Sequence, residues 1–326
     1  MEGVVGERES YTLVVRKPCF GLPTACLSSL PLYLYLRFAN VPFQLDFNLV
    51  FPDSDQIPYI ESGDYVAYNN EKGGVIERLK RDVLIDLDTE LDSVPEWIST
   101  KALLSSWLAD AVTYELWVGS DSSSAETIYF SDLPWPIGKV LFLKQKHTVK
   151  QQLGISKDNA EQKEEEIYRR AGTAYEALST RLGDQDFLFE NRPSSLDAIF
   201  LGQALIVLQA LPEMSVLRQK LLEHGNLVRY VERVKAEFVE TGPSYSVPHF
   251  QAESSSSNPK KGPSKSSKPK SKPKKEKTNE EKTFKRRAKY FLATQLVAVL
   301  LFLTLMGRPD DVEVELDEDD EGYIHD

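Results

Sequence analysis

Cysteine and histidine are scarce in this sequence, with two cysteines and four histidines among 326 residues. Two thiols in a chain of this length do not make a disulfide framework, and the spacing of Cys19 and Cys26 matches no zinc-binding pattern. The four histidines lie far apart along the chain. We therefore predict no metal site and no cofactor, and we expect a reducing environment such as the cytosol.

The first ten residues lack the features of a targeting signal. They contain three acidic residues and no long apolar run. This composition excludes both a secretory signal and an Arg-rich, acid-poor transit peptide. We expect the segment that determines the location of this protein to lie elsewhere in the chain.

Positive charge is in short supply in residues 1–250. The whole chain carries a formal net charge of −11, but residues 251–289 hold 14 Lys and Arg against 4 Asp and Glu, a net charge of +10. Residues 308–326 hold one Arg against 10 Asp and Glu, a net charge of −9, which leaves −12 for residues 1–250. Nucleic-acid binding depends mainly on neutralising phosphates, so no nucleic-acid partner is predicted for this acidic body.

Charge is absent from residues 290–307, which are predominantly apolar. As a helix with a rise of about 1.5 Å per residue, these 18 residues extend about 27 Å, just enough for a hydrocarbon core of about 30 Å. Apolar side chains cover every face, so a helix lying on the membrane surface is not expected. A buried core helix is the alternative, but the flanking charges favour a transmembrane helix. These flanks are Lys285, Arg286, Arg287 and Lys289 before the segment and Arg308 after it.

The same flanks predict the orientation of the protein. Basic residues concentrate on the cytosolic side of a membrane span. The large N-terminal body is therefore expected in the cytosol, with the acidic tail of residues 308–326 beyond the membrane. A short span with basic flanks is typical of the mitochondrial outer membrane, but the thin bilayer of the endoplasmic reticulum would also accept it. Composition alone leaves the organelle open.

Residues 251–289 are rich in Ser, Pro and Lys and predict a disordered linker. Such a composition cannot bury enough apolar area to offset the entropy of ordering, and its prolines and like charges favour an extended tether. A lysine-rich run can be a nuclear signal or a nucleic-acid patch. Beside a membrane span, attraction to anionic membrane lipid is the favoured interpretation.

Residues 1–90 predict a small α/β domain. Strands are predicted at residues 11–16 and 42–49 and a hairpin at 57–60 and 65–67, from alternating apolar residues and a Ser-Gly-Asp turn. A helix is predicted at residues 24–39, where Pro31 must kink it or delay its start, and another from about Gly74. The order is β-α-β followed by β-β-α.

Residues 91–250 predict a wholly helical domain, with helices at 104–112, 160–181, 194–211 and 226–238. The third of these helices has a clear start. Ser194 is suited to cap it, and Asp197, three residues later, can reach back and complement the helix dipole.

These features together resemble the glutathione-transferase fold, an α+β fold in which a thioredoxin-like half precedes an all-helical half. In that family a cis-proline opens the third strand, which Pro58 matches, and a Ser/Thr-x-x-Asp cap opens a buried helix, which Ser194 and Asp197 match. Residues 19–24, 133–138 and 187–197 are similar to segments of metaxins, which are tail-anchored members. The resemblance implies a protein of the mitochondrial outer membrane. Its implied partners are subunits of the sorting and assembly machinery and the β-barrel precursors that this machinery inserts.

The resemblance also raises the question of enzyme activity. Transferases need a Tyr, Ser or Cys near the end of the first strand, where Cys19 lies, although a lone Cys is more often a small apolar filler. The family also holds glutathione with an acid-Ser pair after the fourth strand, where this chain has Asn69 and Asn70. We therefore predict no catalytic residue and a non-enzymatic role in β-barrel import and assembly. The alternative is a tail-anchored, glutathione-dependent transferase that uses Cys19.

Overall fold

The computed structural model describes residues 11–48, 55–189, 191–240 and 295. The chain divides into two compact units, Met1–Gln251 and Ala252–Asp326. All the described residues except Gln295 belong to the first unit, which contains a sheet-and-helix half followed by a helical half.

A four-stranded sheet forms the centre of the first half. Its strands are β1 (Tyr11–Val15), β2 (Phe43–Phe47), β3 (Tyr59–Ser62) and β4 (Tyr65–Tyr68), in the order β2-β1-β3-β4. β1 pairs in parallel with β2 and antiparallel with β3, and β3 and β4 form the predicted hairpin. The Ile57–Pro58 peptide bond immediately before β3 is cis, as predicted.

Two helices pack against this sheet, α1 (Ser29–Phe38) and α2 (Gly74–Arg81). α1 begins five residues later than the predicted start at residue 24. Pro31 therefore lies in its first turn, where backbone N–H groups have no acceptor within the helix, so the ring costs no hydrogen bond. Every residue of α1 except Arg37 is buried, because the helix lies between the sheet and the helical half.

The helical half follows a connection at residues 82–94. Its helices are α3 (Pro95–Leu103), α4 (Ala109–Tyr114), α5 (Ser123–Tyr129), α6 (Ile137–Gln152), α7 (Ala160–Leu182), α8 (Ser195–Gln209), α9 (Val216–Leu222) and α10 (Gly225–Val234). Wider π-helical turns at Leu104–Leu108, Glu115–Gly119 and Lys235–Glu240 extend α3, α4 and α10. The predicted helical character of this half is confirmed.

α8 is the central helix of the molecule, and twelve of its fifteen residues are buried. It crosses α1 so closely that a Cβ atom added at Gly202 would lie 2.7 Å from Cγ of Pro31. Real Cβ atoms do not come this near to other atoms, so only glycine fits at this crossing. The sheet-and-helix half therefore packs directly against the core of the helical half.

The start of α8 has the predicted capping box. The Asp197 N–H donates to Ser194 Oγ over 3.4 Å, and the Ser194 N–H donates to Asp197 Oδ2 over 2.8 Å. The other carboxylate oxygen of Asp197 accepts from the backbone N–H of Leu188 at 2.8 Å and from the Tyr230 hydroxyl at 2.6 Å. Asp197 is fully buried, and burial raises the pKa of its carboxyl although these hydrogen bonds oppose the rise. It joins three segments of the helical half as well as capping α8.

A second buried carboxylate, Asp88, reaches the same helix end from the connection between the halves. It accepts hydrogen bonds from the backbone N–H of Ser195, at 2.9 Å, and from the Ser195 hydroxyl. Lys80 of α2 forms an ion pair with Asp88 at 3.0 Å, and its Nζ lies 5.3 Å from the centre of the Trp97 ring in α3. Lys80, Asp88 and Ser195 together therefore join α2, the connection and α8.

Several predicted features lie outside the described residues, apart from Gln295. They are the linker of residues 251–289, the transmembrane helix of residues 290–307, the acidic tail of residues 308–326, and the flanking residues Lys285, Arg286, Arg287, Lys289 and Arg308. Within the described ranges, no helix has the length and apolar character needed to cross a membrane.

The two residues of the capping box are expected to differ in their contribution to stability. Ser194→Ala removes one cap and should lower the free energy of unfolding by about 0.5–2 kcal/mol. Asp197→Ala removes the acceptor of four buried donors, the N–H groups of Leu188 and Ser194 and the hydroxyls of Ser194 and Tyr230, and should lower it by roughly 2–5 kcal/mol. Urea unfolding of the two variants measures both values. Equal losses would show that Asp197 acts only as a cap.

Candidate functional site

A cleft of about 420 Å³ opens between the two halves near the start of α1. The sheet-and-helix half contributes residues from the end of β1, the start of α1 and the loops before β3 and α2. The helical half contributes residues from α4, α5, α6 and the π-helical turn after α4. The lining includes Arg16, Cys26, Ser28, Ile57, Asn69, Thr113, Trp117, Tyr129, Lys144, Gln145 and Gln152.

A second cavity, of about 460 Å³, shares Ser28 and Asn69 with the cleft. It lies among α1, α2 and the helical half, and its lining is mostly apolar. Pro58 lines this cavity, together with Leu27, Pro31, Val75, Ile76 and Ile199. We refer to it as the apolar cavity.

Cys19 is not among the residues that line either space. It lies in the loop after β1, where its carbonyl accepts a hydrogen bond from the backbone N–H of Leu22. Burial raises the pKa of its thiol to about 11, although the nearby Lys17 ammonium opposes the rise. At neutral pH the thiol is therefore protonated and is a weak nucleophile. These properties disfavour the transferase that was predicted as the alternative.

Cys26 occupies the cleft in place of Cys19. Its Sγ lies 3.2 Å from Ser28 Oγ and 3.7 Å from the Tyr129 hydroxyl, which donates to it. The Arg16 guanidinium lies 4.8 Å from the centre of the Tyr129 ring. Burial raises the pKa of the Cys26 thiol, but the charge of Arg16 and hydrogen bonds from Ser28 and Ser29 outweigh it, so the net shift is downward.

The Cys26 thiol has one chemical property of a nucleophile and lacks another. Its pKa is shifted downward, toward the thiolate, yet only 4% of Cys26 and 7% of Arg16 is exposed. An attacking thiol needs both thiolate character and access. The arrangement therefore suits a structural contact between the halves. Cys26 was not predicted as a site residue from the sequence, although its position two residues before the cap of α1 is a signal that could have identified it.

The place of the acid-Ser pair also differs from the sequence interpretation. α2 begins at Gly74 after Gly73, so Asn69 and Asn70 lie in the loop before the helix rather than at its start. Gly73 and Gly74 both have positive φ, 88° and 71°. A Cβ at Gly73 would lie 2.7 Å from the Cβ of Glu77. Glycine has no side chain, so neither residue can offer a ligand an acidic or hydroxyl group at the start of α2.

The structure separates the residues that the sequence singled out. Pro58 lines the apolar cavity, Asn69 lines both spaces, and Cys19 lines neither. Ser194 and Asp197 lie at the start of α8 and line neither space. Ser195, which follows Ser194, does line the apolar cavity. Their role is structural in this arrangement.

Comparison with protein families assigns both halves to known domains. The family described as glutathione S-transferase N-terminal domain matches residues 27–122, and the family described as glutathione S-transferase C-terminal domain matches residues 171–234. The chain therefore has a glutathione-transferase-like fold. A glutathione transferase from Phanerochaete chrysosporium aligns with 71% of this chain and 98% of its own, at 12% identity and a TM-score of 0.49.

Curated relatives are more informative. An Arabidopsis thaliana protein named mitochondrial outer membrane import complex protein METAXIN is 57% identical over 318 residues, which cover 97% of this chain and 99% of its own. Metaxin-2 of Mus musculus is 25% identical over 65% of this chain and 82% of its own. Metaxin-1 of Mus musculus is 24% identical over 66% of this chain and 71% of its own.

The thiol chemistry gives a test that separates a structural Cys19 from a reactive one. Because its pKa rises from 9.0 to about 11, Cys19 should hold about 100-fold less thiolate at neutral pH in the folded chain than in the unfolded chain. In a Cys26→Ser variant, iodoacetamide should alkylate Cys19 correspondingly slowly at pH 7.5, and the rate should rise as the pH approaches 11. Mass spectrometry measures the rate, with the urea-unfolded variant as control. Alkylation as fast as in the unfolded chain would contradict this assignment.

Proposed function

The chain belongs to the metaxin family, and from this membership we propose that it is a non-enzymatic subunit or receptor in the import and assembly of β-barrel proteins at the mitochondrial outer membrane. The observation that carries the proposal is the 57% identity to an import complex protein over 97% of this chain. A match over nearly the whole of both sequences supports a shared role as well as a shared fold. The partners proposed are subunits of the sorting and assembly machinery and β-barrel precursors.

The properties of the cleft support a role without catalysis. Cys19 is protonated and lies outside the cleft, and Cys26 is buried in contact with Ser28 and Tyr129. Two glycines open α2 where a transferase would hold glutathione with an acid-Ser pair. The fold is therefore proposed to act as a binding scaffold, in keeping with the general rule that function depends on the site rather than on the fold.

The apolar cavity and the helical half are the proposed contact region for polypeptide clients. A mostly apolar cavity of about 460 Å³ suits apolar side chains of a partner better than a small, highly charged ligand. The exposed Ile98 and Trp107, on α3 and the π-helical turn that follows it, add apolar surface to the helical half. Modest affinity would be sufficient if the body is held close to its partners.

A proposed tether holds the body close to its partners at the membrane. Residues 290–307 are proposed to span the outer membrane, with the body in the cytosol and residues 251–289 as the link. A flexible link of this length has an end-to-end distance of about 30–35 Å, and repulsion among its lysines would lengthen it. Tethering raises the effective concentration of the body near membrane partners without any new contact.

The anchor is tested by extraction of membranes. Alkaline carbonate should leave the full chain in the membrane pellet, because a transmembrane helix is not released by disrupting charge interactions. External protease on intact mitochondria should remove the body and spare a small C-terminal fragment. Release of the full chain into the carbonate supernatant would contradict the anchor.

The role is tested by depletion in cells. Loss of the protein should reduce the assembled, protease-protected form of newly made porin-type barrels, while import of matrix proteins serves as the control. The full chain should restore assembly, and so should a Cys19→Ser variant, because no reaction at that thiol is proposed. Unchanged barrel assembly together with failure of another outer-membrane process would show that the proposed role is wrong.

A further inference from the structure

α6 differs from the rest of the acidic body in its charge. It contains Lys139, Lys144, Lys146 and Lys150 and no Asp or Glu, whereas residues 1–250 as a whole carry −12. Three of these lysines share one side of the helix with Leu143, because residues 139, 143, 146 and 150 are four, three and four positions apart. Trp135 lies just before the same helix, whose N-cap is Pro136. We call Trp135, Lys139, Leu143, Lys146 and Lys150 the α6 face.

The lysines of the α6 face are close enough to affect one another. Partial burial lowers the pKa of Lys146, and the charges of Lys150 and Lys139 lower it further. Lys139 pairs with Glu126 at 3.0 Å, but Lys146 and Lys150 form no ion pair with any residue in the described ranges. The nearby Asp132 is paired with Lys17. Positive charge on this side of the helix is therefore only partly compensated within the body.

Two large apolar side chains are exposed on this face or immediately before the helix. Trp135 is 82% exposed and Leu143 56%. Exposed Trp beside Lys is the composition of a membrane interface, where the indole lies at headgroup level and lysine stems bury while their charges remain in water. A second exposed apolar group is flanked by Glu213 and Glu223 and consists of Met214, before α9, and Val216 and Leu222 of α9. That charge pattern suits an anionic membrane less well.

We propose that the α6 face is a docking surface for an anionic lipid bilayer, with Trp135 and Leu143 at the interface and the lysines on headgroup phosphates. The inference extends the proposed function, since it rests on placement of the body beside a membrane. Charge complementarity is the reason for choosing an anionic bilayer as the partner of this face. An anionic surface repels a body of net charge −12, so the basic face is the side that approaches. The docking would hold the body in one orientation above the membrane.

The four tryptophans of the chain make this docking measurable in the intact protein. All of them lie in the body, at positions 97, 107, 117 and 135, so their fluorescence contains no signal from residues 290–307. Trp97 and Trp117 are buried, and Trp107 is 37% exposed. Trp135 is therefore the tryptophan best placed to be quenched by lipid bromine atoms.

The experiment reconstitutes the full chain into vesicles that contain brominated phosphatidylcholine, with or without phosphatidylinositol as the anionic lipid. Vesicles with phosphatidylinositol should quench the wild-type chain, and Trp135→Phe should lose at least half of that quenching. Trp107→Phe should retain it, as should Met214→Ser, whose side chain is as exposed as that of Trp135. Equal quenching of Trp135→Phe and wild type would overturn the proposal. Equal quenching of the wild-type chain in vesicles with and without the anionic lipid would also overturn it.

Charge variants give a second test. Lys146→Gln/Lys150→Gln should reduce quenching at least twofold, whereas Lys72→Gln/Lys220→Gln, with the same change in net charge, should not. Equal thermal unfolding of the two double variants shows that folding is unaffected, and comparable quenching by both would overturn the role of the α6 lysines. If removal of residues 309–326 shifts the emission of Trp135 in the absence of vesicles, the acidic tail is the occupant and the lipid proposal fails.

Flotation of the same samples through a density gradient reports on the anchor separately. A chain that floats without Trp135-dependent quenching overturns the docking and leaves the proposed anchor standing. A chain that shows the quenching but separates from vesicles in the gradient overturns the anchor and supports the docking.

Discussion

The amino end of α8 holds both halves of the molecule, because two buried carboxylates converge on it. Asp197 pairs donors from within the helical half, and Asp88 brings the connection between the halves to the Ser195 N–H. Helix N-termini favour negative charge, so this end can accept both groups. Lys80 offsets the charge of Asp88 and comes from α2, which ties the sheet-and-helix half to the same point. Ser195, one of the residues joined here, also lines the apolar cavity.

The molecule has a glutathione-transferase-like fold, but neither of its cysteines is placed as an accessible thiolate. Supports such as cis-Pro58 set the backbone and are needed whatever the site does. Side chains that line a site can change without loss of the fold. Cys26 lies against Ser28 and Tyr129 inside the wall of the cleft, and Gly73 opens α2 without a side chain. A fold of this kind can therefore serve as a scaffold with no change in topology.

Local patterns in the sequence predicted the parts of this structure that depend on near neighbours. The hairpin and the capping box of Ser194 and Asp197 involve residues within a few positions, so spacing alone specifies them. The contact of Asp88 with Ser195 joins residues 107 positions apart, and no local pattern reveals it. The same limit explains why Cys19 was favoured over Cys26. Position relative to a strand end was visible in the sequence, whereas burial and the charge of Arg16 depend on packing.

The last described turn of the body has a mechanical consequence. The Phe238 carbonyl accepts hydrogen bonds from Arg37 at 3.2 Å and from the Tyr33 hydroxyl at 3.4 Å, and its ring meets Phe38 edge to face. These partners belong to α1, in the other half of the body. Tension applied to the chain beyond this turn would therefore be transmitted to α1 as well as to the final helix. A body pulled from its C-terminal side would resist as one piece.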